Sequence, residues 1–125
     1  MTKSEGDAAA GEGHKFRLKF VPPALEEWWR LDASVKEPLR KLLRKRLDGP
    51  HVPGARLHGG LAGCYKIKLR KQGYRLVYTV EDDALIVLVL AVDHREDSLA
   101  YRSALARLRS ELQPVAADPG KPGDR

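Results

Sequence analysis

The stretch CYKIKLRKQGYRLVY, residues 64–78, decides the fold of this chain. Apolar and basic side chains alternate over residues 65–70, which is the period-two pattern of a half-buried strand. After a short turn that contains Gly73, residues 74, 76 and 78 again place apolar side chains on one face. The stretch therefore predicts a β-hairpin with one face turned towards a core.

The other face of this hairpin is basic. A turn at residues 71–72 places Lys68 directly opposite Arg75, and a turn one residue later keeps the same residues on each face, because the face depends only on register parity. Like charges that lie opposite each other destabilise a sheet. The cations on this face are Lys66, Lys68, Arg70 and Arg75. We interpret the cluster as a site for an anion, namely a nucleic-acid phosphate.

Length and composition indicate one globular domain without a membrane segment. The chain has 125 residues, of which 42% are hydrophobic and 32% charged. The longest apolar run, residues 84–92, is too short to cross a bilayer, and the N-terminal residues lack the apolar region of a signal peptide. Cys64 is the only cysteine, which excludes an intramolecular disulfide and argues against a cysteine-based zinc site. We expect a cytoplasmic protein with no metal and no cofactor.

The positive charge is concentrated in the middle of the chain. The net charge is +6, yet residues 1–14 contain one basic and three acidic residues, and residues 111–125 contain two basic and three acidic ones. Residues 15–110 therefore carry +9. A basic domain with near-neutral tails suits a nucleic-acid partner, although a basic protein without such a role has the same composition.

The first third of the chain predicts a strand and two helices. The strand covers residues 16–20, and Pro22-Pro23 then opens a helix, since proline is tolerated in the first turn. Leu25, Trp28 and Trp29 share one helical face, which favours buried core anchors over base-stacking residues.

The second predicted helix begins near Ser34 and ends at Asp48-Gly49-Pro50. Pro38 fits this capping box poorly, so the boundary can shift by a residue or two. The predicted buried stripe consists of Val35, Leu39, Leu42, Leu43 and Leu47. The rest of the helix is basic and includes Arg40 and Arg44, which is consistent with a solvated face and with a polyanion contact alike.

The remaining elements complete the order β-α-α-β-β-β-α. Residues 49–63 predict a loop, whose two histidines lack neighbours at metal-ligand spacing. Residues 84–92 are apolar on both faces and predict a central strand, and Ser98 can cap a last helix. We predict an α+β domain at residues 15–112, with helices packed on one face of a small, mostly antiparallel sheet, and disorder at residues 1–14 and 113–125.

Residues 16–110 resemble the RelE-like toxins of the RelE/ParE superfamily. The hairpin at residues 64–78 is the most specific part of this resemblance. The other matching motifs are Leu25-Glu26-Glu27-Trp28, Arg56-Leu57-His58-Gly59, and His94-Arg95-Glu96 with Tyr101. The resemblance implies the fold of this family and a place in a type II toxin–antitoxin system.

The resemblance also implies an activity and its residues. RelE-like toxins cut mRNA codons in the ribosomal A site through attack by the RNA's own 2′-OH, which leaves 2′,3′-cyclic phosphate and 5′-OH ends. It implies that one of the two lysines Lys66 and Lys68 is the general base, that Arg95 is the general acid, and that Tyr101 stacks on a codon base. Our hypothesis is that Lys66 is the base. Lys68 and Arg75 would stabilise the negative charge of the transition state. The implied partners are a RelB-like antitoxin and the ribosome.

Additional RNA contacts are predicted, and some roles stay open. The predicted contacts are Arg70, Lys71, His94, Arg40 and Arg44. Lys68 and Arg70 suit phosphate binding as well as a chemical role. The helix stripe of Tyr101 is also consistent with a core position, and His94 suits either an acid–base group or a surface residue.

Acidic residues distinguish this chain from the family pattern. Asp93 stands where the family usually has glycine, and Glu96 and Asp97 also lie beside Arg95. They either pair with Arg95 or orient it. Two other functions therefore stay open: an RNA-binding homologue with weakened catalysis, and a ParE-like inhibitor of DNA gyrase on the same fold. The cation cluster with Tyr101 argues against the gyrase inhibitor, which does not need it.

Overall fold

In the part of the chain that the structure describes, the hairpin belongs to a five-stranded sheet with three helices. The computed structural model describes residues 14–94, 99–110 and 112–116. The elements are β1 (Arg17–Phe20), α1 (Pro22–Trp29), α2 (Ala33–Asp48), β2 (Cys64–Leu69), β3 (Tyr74–Glu81), β4 (Ile86–His94), α3 (Leu99–Arg109) and β5 (Val115–Ala116), with short 3-10 turns at Pro53–Ala55 and Gly59–Leu61. Within these ranges no helix has the length and apolar character that a membrane span requires.

The sheet has the strand order β2-β3-β4-β1-β5. Neighbouring strands are antiparallel except for β1 and β4, which run parallel. The predicted α+β class with a mostly antiparallel sheet is therefore confirmed. The sheet extends past residue 112, the predicted end of the folded domain, because Val115–Ala116 pair with Lys19 and Phe20. This strand covers backbone groups of β1 that would otherwise form a sheet edge.

Helices cover both faces of the sheet, which corrects the prediction that they pack on one. On the first face, α1 packs Trp28 against Phe20 of β1, with ring centroids 5.8 Å apart, and α2 packs Arg46 over Tyr78 of β3. On the opposite face, α3 packs against β3 and β4. The physical reason is β4 itself, in which residues 86–92 are all buried, so that both of its faces need cover.

The start of α2 differs from the predicted capping box. Asp32, not Ser34, is the N-cap, and its carboxylate accepts hydrogen bonds from the Ser34 N–H at 3.0 Å and the Ser34 hydroxyl at 2.6 Å. These bonds hold the pKa of Asp32 below its ordinary value. Pro38 lies inside the helix and has no N–H for the Ser34 carbonyl, which instead accepts a hydrogen bond from the Gln72 side chain at 3.4 Å.

The buried stripe of α2 is confirmed, with one difference of degree. Val35, Leu39, Leu43 and Leu47 are buried, whereas Leu42 is only partly buried. Trp28 of α1 is fully buried, which confirms its core role.

The register of the β2–β3 hairpin is the one that a turn at residues 71–72 predicts. Lys68 pairs with Arg75, and Leu69 pairs with Tyr74. The connection is longer than expected, since β2 ends at Leu69 and residues 70–73 form the turn. The Gly73 N–H donates a hydrogen bond to the Leu69 carbonyl at 2.9 Å, which closes the turn. The φ of Gly73 is 73°, a backbone conformation that favours glycine.

Candidate functional site

Three cations of the hairpin share the sheet face on which α3 lies. Lys68 and Arg75 are direct register partners, and Lys66 lies two residues before Lys68 on the same side of β2. Lys68 is exposed, whereas Lys66 and Arg75 are half-buried. The face therefore holds three positive charges close together, where a bound anion would offset their repulsion.

Tyr101 of α3 lies over this face. The Arg75 guanidinium carbon is 4.9 Å from the centroid of the Tyr101 ring, which is a cation–π contact. Tyr101 is half-buried, whereas Ala100 and Ala104 are the buried residues of α3. Tyr101 thus belongs to the rim of the core, next to the cations. The Arg75 Nε atom is buried, and it has no hydrogen-bond partner among the residues that the structure describes.

A shallow cleft opens at the end of the hairpin. It has a volume of about 50 Å³ and is lined by Lys68, Leu69, Arg70, Tyr74 and Arg75. Sites for whole small molecules occupy roughly 300–1,000 Å³. This cleft therefore suits a single charged group, such as a phosphate, on a ligand that extends beyond it.

The other hairpin residues predicted to contact RNA lie in the turn. Arg70 is exposed and lines the cleft, and Lys71 is exposed at the turn itself. His94 ends β4, and its ring packs on that of Tyr74 with centroids 4.3 Å apart; its Nε2 atom is 3.2 Å from the Tyr74 hydroxyl. His94 is therefore a partner of Tyr74 at the end of the hairpin.

The acidic neighbourhood of Arg95 is only partly described. Asp93 is the register partner of Arg75, and its carboxylate accepts the His94 N–H at 2.8 Å. An acidic side chain thus borders the cation cluster. Arg95, Glu96, Asp97 and the predicted cap Ser98 lie outside the described residues.

Two predicted RNA contacts lie elsewhere. Arg40 and Arg44 belong to α2, which covers the opposite face of the sheet from Lys66, Lys68 and Arg75. Arg40 forms an ion pair with Glu37. The structure therefore does not bring these two arginines into the cation cluster.

A hydrogen-bond network behind the hairpin fixes the strand that carries both lysines. Arg46 donates to the Lys66 carbonyl at 3.2 Å and to the Tyr78 hydroxyl at 2.8 Å. The Tyr78 hydroxyl donates to the Pro50 carbonyl at 2.7 Å. Burial raises the pKa of Tyr78, which keeps its hydroxyl protonated as a donor. The sequence pattern did not identify Arg46 or Tyr78, because one belongs to a basic run and the other to an apolar alternation.

The cations and the ring of Tyr101 indicate what this face can bind. Among the residues that the structure describes, no group of three or more His, Cys, Asp and Glu side chains could hold a metal ion. The cations can bind a phosphodiester and stabilise charge that develops on it. The half-exposed ring of Tyr101 offers an aromatic surface beside them.

Comparison with known proteins agrees with this geometry. The model of the family described as ParE toxin of type II toxin–antitoxin system, parDE, matches residues 18–99. A putative RelE-like toxin protein of Escherichia coli is 46% identical over 95 residues, which cover 76% of this chain and 99% of that protein. The mRNA interferase toxin RelE of E. coli K12 is 44% identical over 91 residues, which cover 73% of this chain and 95% of that protein.

Solved structures show the same relationship. An arginine double mutant of the E. coli toxin RelE in the free state superposes with a TM-score of 0.69 at 41% identity, covering 75% of this chain and 98% of that one. The toxin in the intact E. coli RelBE toxin–antitoxin complex superposes with a TM-score of 0.62 at 43% identity, covering 65% and 98%. With its sequence and its fold both matching, the chain belongs to the RelE/ParE family of type II toxin–antitoxin toxins and is similar to RelE within it.

Proposed function

We propose that this toxin is an mRNA interferase, a metal-independent endoribonuclease that cuts mRNA codons in the ribosomal A site and so inhibits translation. The observation that carries the proposal is the joint placement of Lys66, Lys68 and Arg75 on one sheet face beneath Tyr101. Relatives at 44% identity are named mRNA interferase RelE, which supports the same activity here.

In the proposed reaction the RNA supplies its own nucleophile. The 2′-oxygen forms a bond to phosphorus while the bond from phosphorus to the 5′-oxygen breaks, which yields a 2′,3′-cyclic phosphate and a 5′-OH end. Lys66, in its neutral form, takes the proton of the 2′-OH, and Arg95 assists protonation of the departing 5′-oxygen. Lys68 and Arg75 stabilise the negative charge that builds up on the phosphoryl oxygens.

Tyr101 and Arg75 form one recognition unit in this proposal. The guanidinium of Arg75 lies against the ring of Tyr101, so a codon base stacked on the ring lies near a cation that binds the adjoining phosphate. Stacking of one base on an aromatic side chain is worth ~1–3 kcal/mol. The pair would thus hold the codon in the geometry needed for attack along the phosphorus–oxygen axis.

We infer that the partners are the ribosome and a RelB-like antitoxin, and that the toxin acts in the cytoplasm. The net charge of +6 favours both ribosomal RNA and a partly acidic antitoxin helix. The solved structures similar to this chain include an intact RelBE complex from E. coli and a RelBE2 complex from Mycobacterium tuberculosis, which supports an antitoxin of the same kind.

The proposal is tested with purified toxin, programmed ribosomes and a defined mRNA. We expect cuts within the A-site codon that carry 2′,3′-cyclic phosphate ends and persist in EDTA. Lys66→Ala and Arg95→Ala should abolish cleavage, whereas Lys45→Ala, which removes an exposed cation of α2, should not. Growth arrest with intact mRNA and loss of DNA supercoiling would contradict the proposal and would indicate a ParE-like gyrase inhibitor.

A further inference from the structure

The first-helix motif Leu25-Glu26-Glu27-Trp28 contains a carboxylate with an unusual set of partners. Glu27 of α1 forms a bidentate ion pair with Arg107 of α3, with both nitrogen–oxygen distances at 2.8 Å. Both side chains are largely buried, with 17% and 18% of their surface exposed. We call this ion pair the clasp. It joins helices that lie on opposite faces of the sheet.

The clasp also binds the backbone of β4. Glu27 Oε1 accepts the Val92 N–H at 3.0 Å, and Arg107 Nη1 donates to the Leu90 carbonyl at 3.0 Å. β1 pairs with β4 only as far as Val89, so in the described part of the chain this edge of β4 has no neighbouring strand at Leu90 and Val92, whereas β3 pairs with the other edge. The clasp therefore takes the place of a neighbouring strand, with the carboxylate as acceptor and the guanidinium as donor.

Among its described residues, α3 buries no large apolar side chain completely, since Tyr101 and Leu105 are only partly buried. The residues that it buries completely are the small Ala100 and Ala104, whereas Leu108 is 38% exposed. Alanine side chains bury little apolar surface, so they fix neither the rotation nor the shift of a helix firmly. A bidentate, partly buried ion pair is directional, and it therefore determines where α3 lies along the sheet.

We propose that Glu27 and Arg107 are positioning residues, which fix α3 so that Tyr101 lies over Arg75. Arg107 is six residues from Tyr101 on the same helix, which is about 9 Å along the axis. A shift of α3 at Arg107 would move the Tyr101 ring by a similar amount and break its contact with the guanidinium. The expected loss of mRNA cleavage rests on the proposed function, whereas the expected shift of α3 along the sheet does not.

The test compares Glu27→Gln and Arg107→Lys with the matched control Glu26→Gln, which changes the neighbouring exposed carboxylate. Hydrogen exchange of the α3 amides should become about tenfold faster in the first two variants, with the β2–β3 hairpin unchanged. Single-turnover cleavage of ribosome-bound mRNA should slow about tenfold or more in the same variants, without a change in toxin affinity for the ribosome. Glu26→Gln should match the parent in both measurements.

Two further variants separate positioning from general stability. In a Tyr101→Ala background, Glu27→Gln should cause no further loss of cleavage rate, because the clasp acts through Tyr101. The exchanged pair Glu27→Arg with Arg107→Glu should fail to restore α3 protection, since Val92 would face a donor and Leu90 an acceptor. Uniformly faster exchange, unchanged α3 exchange or restoration by the exchanged pair would each overturn the inference. If the parent cleaves no mRNA, the proposed function fails, and hydrogen exchange still decides the role of the clasp.

Discussion

A single hydroxyl group connects the hairpin to the loop behind it. Tyr78 is fully buried, and its hydroxyl donates to the Pro50 carbonyl and accepts from Arg46. Tyr78→Phe leaves both partners without this bond, so we expect a loss of ~1–3 kcal/mol in the free energy of unfolding. Urea denaturation at pH 7 of the parent and of Tyr78→Phe measures this loss of free energy. Tyr74→Phe is the matched control. The Tyr74 hydroxyl lies 3.2 Å from Nε2 of the exposed His94 ring, so its loss should cost less.

The same residue predicts how stability depends on pH. Burial raises the pKa of Tyr78 above 10.0, its ordinary value. The unfolded chain therefore loses this proton at a lower pH than the folded one, and the stability that the hydroxyl contributes is lost as the pH rises above about 10. The difference in stability between the parent and Tyr78→Phe should shrink from pH 9 to pH 11. A constant difference over this interval would contradict the role of the buried hydroxyl.

Single residues show where inference from the sequence stops. Of the four cations assigned to one face, Lys66, Lys68 and Arg75 lie on it, because alternation in a strand fixes the side on which each residue lies. Arg70 lies in the turn after β2 ends at Leu69. Glu27 and Arg107 are 80 residues apart, and no periodicity relates them. Their contact follows from the way β1 ends early beside β4, which only the folded chain shows.

At the scale of elements, α2 contains a proline that interrupts its backbone hydrogen bonds. Pro38 lies beyond the first turn of the helix and leaves the Ser34 carbonyl without its helical donor. Pro38→Ala restores that bond and removes the ring clash, so we expect a gain of ~1–3 kcal/mol in the free energy of unfolding. Thermal and urea unfolding measure the gain. Pro23→Ala in the first turn of α1 is the control and should give no gain, since no helical bond is missing there.

A second variant tests whether the gain in stability comes from the hydrogen bond restored to the Ser34 carbonyl. The Gln72 side chain donates to the Ser34 carbonyl in the parent. Gln72→Ala should therefore destabilise the parent but have less effect in Pro38→Ala, where the carbonyl has a backbone donor. Equal effects in both backgrounds would show that Gln72 contributes to stability in another way.

The sequence predicted the larger elements better than their connections and arrangement. The strands and helices have strong periodicity, so their existence and the two faces of the hairpin followed from it, whereas the register stayed open between two turns. The turn at residues 70–73 depends on the backbone conformation of Gly73, and periodicity does not determine it. β5 has only two residues, too few for any pattern. The position of α3 on the opposite face could have been inferred from β4, whose apolar character on both sides requires cover on both.

At the scale of the whole molecule, the cations form two groups on opposite faces. Lys66, Lys68 and Arg75 face α3, whereas Arg40 and Arg44 lie on α2 behind the sheet. A short single strand of RNA that binds beneath Tyr101 cannot also reach α2 through the sheet. The net charge alone therefore overstates the number of cations that such a ligand contacts.

This separation gives a quantitative prediction for the salt dependence of binding. A single strand that contacts three cations should show a slope of log affinity against log salt of about −2, since each contact contributes about −0.7. Lys68→Gln should make the slope shallower by about 0.7, whereas Arg44→Gln should leave it unchanged. Fluorescence anisotropy with a short RNA that carries a 2′-deoxy sugar at the cleavage position measures binding without cleavage. If both variants reduce the slope equally, one ligand contacts both faces, and the hairpin is not the separate binding surface that its geometry indicates.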